Sequence, residues 1–130
     1  MNIVKLEIKN SVAANSDKNI KNNLYIKKNF IFFSKLELTC ILNLYSKQVS
    51  KGFWRDYALD SKIDNAIFSI YKYSHDIPLY QIIKNCQKGF RNKPSFCIKK
   101  GEEIISKSKS LFTILSNFEK KLSIKKLRNY

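Results

Sequence analysis

The chain has 130 residues and a mass of 15.3 kDa, enough for one domain with a buried core and too short for two ordinary ones. Hydrophobic residues make up 44% and aromatics 13%, which places it among folded rather than disordered chains. A formal charge of +15, from 25 Lys and Arg against 10 Asp and Glu, is a large positive field for so small a body and points to anionic partners.

The opening segment, Ile3 to Lys9, carries Val4, Leu6 and Ile8 at period two with Lys5, Glu7 and Lys9 between them, which predicts a short strand. Its charges interrupt any apolar core, so it does not read as a signal peptide, and a cytoplasmic protein is expected. Residues 10–23 hold few large apolar groups and many turn formers, and are expected to form a flexible polar linker. The run Phe30 to Phe33 reads as a buried strand end.

Ser34 then opens the clearest local signal. With Ser34 as N-cap, Glu37 falls at N3 to complete a capping box, and Phe33 and Leu38 take the staple positions. Leu38, Ile41, Leu42, Tyr45 and Val49 follow at helical spacing, and Gly52 stands where a left-handed C-cap is wanted. Period-two segments come next: Tyr57 to Asp60, Ala66 to Tyr73, Leu79 to Cys86, Ser95 to Lys99 and, less clearly, Glu103 to Ser106. Their connections are short, so neighbouring strands should be antiparallel. From Ser110 onward Leu111, Ile114, Leu115, Phe118 and Leu122 predict a second amphipathic helix, followed by a frayed basic tail.

The expected fold class is therefore α+β: an antiparallel sheet of about four to five strands with two amphipathic helices packed on one face. The expected organisation is an N-terminal strand and flexible linker over 1–29, a single domain over 30–122 and a basic tail over 123–130. The open sheet face should display polar and charged side chains such as Ser69, Tyr71, Lys72, Tyr73 and Lys84.

Chemistry-bearing residues are sparse. The longest uncharged stretches are nine residues, against the roughly 20 apolar residues a membrane span needs. Cys40, Cys86 and Cys97 form no paired motif and read as buried apolar thiols. The only histidine, His75, sits beside Asp76 in a turn context with no activated nucleophile near it. Asp56, Asp60 and Asp64 read as caps and turns, with an Arg55 to carboxylate pair as the special contact to look for. The three glycines form no phosphate-binding loop. No catalytic, metal or cofactor site is expected, and an enzyme is the last reading.

Charge gives more. Residues 1–33 carry net +4, residues 34–80 net +1, and residues 81–130 net +10. Of the 25 cations 22 are Lys, a bias that codon usage alone can produce. Even so, the near-neutral middle argues that position matters. Lys88, Arg91, Lys93, Lys99 and Lys100, with Lys107 and Lys109 ahead of the second helix, form the candidate nucleic-acid surface. Trp54, Arg55, Tyr57 and Tyr80 are candidate anchors for a protein partner or a homodimer, the alternative reading. A further alternative is peripheral attachment of the basic C-terminal end to an anionic membrane.

The segments GFWRDYALD (Gly52 to Asp60), AIFSIYKYSHDIPLYQIIK (Ala66 to Lys84) and IFFSKLEL (Ile31 to Leu38) resemble a small bacterial family catalogued as domain of unknown function 2794. The likeness covers roughly residues 30–122; Phe53, Lys72 and Gln81 depart from its pattern. The resemblance implies a shared fold and carries no activity. The helix, strands, helix order is also similar in topology to double-stranded RNA-binding domains, which place basic residues at the start of their last helix. Lys107 and Lys109 would suit that role.

Overall fold

A computed structural model describes residues 30–73, 77–86 and 93–128, with side chains through residue 124. The expectations for residues 1–29, His75 and Asp76 lie outside the described residues. In chain order the elements are α1 (Lys35–Ser50), β1 (Asp56–Ser61), β2 (Asn65–Tyr71), β3 (Tyr80–Asn85), β4 (Ser95–Lys100), β5 (Glu103–Ser108) and α2 (Leu111–Arg128).

Helix α1 starts and stops where local chemistry dictates. The Ser34 hydroxyl accepts from the Glu37 amide at 3.1 Å, and the Ser34 amide donates to Glu37 Oε1 at 2.7 Å, satisfying two donors that a helix start leaves free. At the other end Gly52 N donates to Val49 O and Phe53 N to Gln48 O, with Gly52 at φ +80°. That is a Schellman closure, and it needs a residue without a Cβ. The buried stripe runs through Ile41, Leu44 and Gln48, with Leu38, Leu42 and Tyr45 half-buried beside it. Val49, expected on the apolar face, is exposed. The stripe is rotated toward Leu44 because α1 packs on α2 as well as on the sheet.

The five strands form an antiparallel meander in the order β1-β2-β3-β4-β5, as the short connections require. The register breaks between Ile98 and Lys99 of β4 opposite β5. Ile105 falls at this break and packs against the core. The run Phe30 to Phe33 is not a strand: Ile31 N donates to Lys62 O at 2.8 Å, beyond the end of β1, and Ile31 is buried while Phe32 is exposed.

One sheet face is packed. Phe68 and Ile70 of β2, Tyr80 and Ile82 of β3, and Phe96 and Ile98 of β4 join Ile41 and Leu44 of α1 and Leu111, Ile114, Leu115, Phe118 and Leu122 of α2. Burying a side chain of this size contributes about 1.5–3 kcal/mol. Trp54, 4% exposed, sits amid rings from α1, α2 and β3: Tyr45 at 6.2 Å, Tyr80 at 6.1 Å and Phe118, stacked, at 6.0 Å.

Lys84 belongs to this covered side as well, not to the open face. Its ammonium meets Glu37 Oε1 at 2.7 Å and the Phe32 carbonyl at 3.0 Å, so β3 clamps the capping box of α1 to the sheet. The end of α2 also differs from expectation, because the helix continues through Arg128 into the segment read as a frayed tail.

A lysine-edged open face and its groove

Strand alternation assigns the face opposite the helices; Ser69, Ile83 and Cys97 at its centre are buried, and its exposed side chains stand at the margins. Two ladders cross it in register. One runs Asp60, Ile67, Ile83, Cys97, Lys107, and the next runs Ala58, Ser69, Gln81, Lys99, Ile104. Gln81 Nε2 donates to Ser69 Oγ at 3.1 Å across β2 and β3. The face is thus polarised, with Asp56 and Asp60 on the β1 margin and Lys99 and Lys107 on the β4 and β5 margin. At about 4.8 Å per strand, roughly 14 Å or more separates the two signs. That exceeds a physiological screening length of about 8 Å, so Asp56 and Asp60 leave the basic margin largely unneutralised, and the acids near it include Asp64, in the groove at its end, and Glu103, opposite Lys100.

A groove of about 660 Å³ opens at one end of this margin. Lys107, Ser108 and Lys109 at the end of β5 line it together with Asn85 and Cys86, the start of β4 from Ser95 to Cys97, and Asp64. Asn85 Nδ2 lies 3.7 Å from Cys97 Sγ. Beside the groove α2 begins: Ser108 Oγ accepts from Ser110 N at 3.0 Å and Ser110 Oγ from Thr113 N at 3.3 Å, and the first turn holds no acidic residue. Ammonium groups, hydroxyls and an amide on one concavity suit phosphate oxygens, which accept from all three.

The candidate cations therefore converge in part. Lys107 and Lys109 share the groove, and Lys99 lies on the same sheet face. Lys93 is exposed two residues before β4, where the groove opens at Ser95. Lys100 stands at the opposite end of β4, with Glu103 across from it. Lys88 and Arg91 lie outside the described residues. Asp64, Asn85, Ser95 and Ser108 were not singled out as groove residues by sequence reasoning. Each reads locally as a turn former or strand end, and only the meander brings them together.

The aromatic anchors are placed differently from expectation. Trp54 and Tyr80 are buried, and Tyr57 is half-buried with its ring stacked on Phe68 at 4.8 Å. These rings hold the domain together and leave little surface to offer a partner. Arg55 is exposed, and the ion pairs among the described residues are Lys47 with Glu119 and Lys84 with Glu37, so Arg55 forms no pair with a described carboxylate. Cys86 and Cys97 are buried and Cys40 is half-buried, all as free thiols. Among the described residues no three His, Cys, Asp or Glu side chains are grouped to hold a metal ion, and no helix is long and apolar enough to cross a membrane.

Comparison with known proteins adds one finding. A family model described as a protein of unknown function (DUF2794) matches residues 31–115, from the approach to α1 into the first turns of α2. No curated protein and no solved structure matches the chain.

Proposed function

Because the chain belongs to the DUF2794 family of proteins of unknown function, we propose from its geometry that it is a non-enzymatic module binding RNA or DNA along the β4 and β5 margin. The supporting observation is the groove in which Lys107 and Lys109 stand with Ser95, Ser108 and Asn85, next to Lys99 on the same sheet face. Lysine ammonium groups act as point charges on phosphate and read no base sequence. Binding is therefore tolerant of sequence and steeply dependent on salt.

A filter-binding titration across salt concentrations tests this. Affinity should fall linearly on a log–log plot, and reversing Lys107 and Lys109 together to Glu should lower the slope by about 2. The same reversal at Lys120, exposed on α2, should have a smaller effect. Absence of binding by the unaltered chain at low salt would remove the proposal.

A further inference from the structure

We propose that Tyr73, flanked by Lys72 and Lys100, is a stacking seat for an unpaired nucleobase, so that the polymer bound along this margin is single-stranded. The inference rests on the reading above and names its class of nucleic acid. Tyr73 follows β2 and is 55% exposed, and Ile77, on the approach to β3, is 83% exposed. With Pro78, Leu79 and Lys100 they line a pocket of about 340 Å³ at the end of the sheet opposite the groove. Among the described residues Phe32 and Phe112 are exposed rings as well, but Tyr73 is the one that lines a pocket with two lysines.

The Lys72 ammonium lies 5.7 Å from the Tyr73 ring centroid, within cation–π range. The described lining holds two cations and no acid, and Glu103, opposite Lys100 in the strand register, is outside it. A flat π face takes a base while adjacent ammonium groups meet its flanking phosphates, the pairing by which proteins hold single strands irrespective of sequence. A duplex keeps its base faces stacked inside and cannot use such a ring. The six residues of β4, about 20 Å of strand, separate the two ends, and Lys99 lies on the open face of that strand. A single strand that touches the groove and Lys99 reaches Tyr73 by turning over the end of the sheet, where Lys100 belongs to the helix side of β4.

The test is fluorescence anisotropy at low salt, using a single strand of about 12 nucleotides that carries 2-aminopurine, and its matched duplex. The unaltered chain should prefer the single strand and quench the 2-aminopurine. Tyr73→Ala should weaken single-strand binding about 5- to 100-fold and abolish the quenching, while Tyr73→Trp retains both. Duplex binding should barely change in either variant. Since Tyr73 is exposed, both variants should fold, which circular dichroism checks. If Tyr73→Ala binds the single strand like the unaltered chain while the Lys107 and Lys109 reversal weakens it, the stacking seat is wrong and the groove reading stands. If the unaltered chain binds neither form, both fall. If Tyr73→Ala instead loses only binding to phosphatidylserine vesicles, the seat belongs to lipid and this inference is overturned.

Discussion

Trp54 shows how one residue can be decisive for a small domain. Its ring contacts groups from α1, β3 and α2 at once, so truncation opens a cavity that no single element can relax to fill. Trp54→Ala should cost about 3–5 kcal/mol, a large part of the 5–15 kcal/mol that holds a typical domain together. Urea unfolding followed by circular dichroism should show the midpoint collapse. Tyr45 gives a pH signature. Burial, with Asp56 and Tyr57 nearby as secondary causes, raises its pKa above the usual phenol value of 10.0. The folded chain therefore keeps this proton where the unfolded chain loses it. The resulting stability is complete below pH 10.0, and declines as pH rises through the higher folded-state value. Tyr45→Phe should show a shallower loss of stability above that pH in alkaline melts.

Among elements, the helices were legible and the strand facings were not, for a definite reason. The capping box at Ser34 and Glu37, the turn at Gly52 and the Leu111 to Leu122 stripe depend on neighbours within a turn or two, so spacing alone reveals them. In β3 each parity carries one isoleucine: Tyr80, Ile82 and Lys84 on one face, Gln81, Ile83 and Asn85 on the other. Period-two hydrophobicity then has no preferred phase, and only the ion pair from Lys84 to Glu37 and the packing of Tyr80 against Phe118 decide it. Leu44 and Gln48 were missed because the α1 stripe is set by α2 as well as by the sheet. Gly52 offers a clean check at this scale. No atom lies within 4 Å of where a Cβ would stand, so Gly52→Ala should cost about 1 kcal/mol from backbone strain alone. Thermal melting should register a drop of several degrees.

At the level of the whole molecule, the distribution of charge along the chain foretold which end is basic but not which side. Lys99 and Lys100 are adjacent in sequence and belong to opposite sides of β4 by alternation. Lys107 reaches the groove only because β5 folds back beside β4. The helix, strands, helix order likened to double-stranded RNA-binding domains meets a difference in strand number between the two described helices. Five strands rather than three separate those helices.

Among the described residues the sheet is open, and β1 and β5 each have a hydrogen-bonded neighbour on one side only. A row of unpaired amides and carbonyls invites another chain to add itself. The irregular register beside Ile98 and the cation at Lys107 make β5 a poor template for that growth. Copies of the protein thus repel one another through the same lysines assigned to polyanion contact. Any partner that neutralises this margin also lifts a safeguard against clumping, and crowding many copies on one long strand would bring the bare edges together.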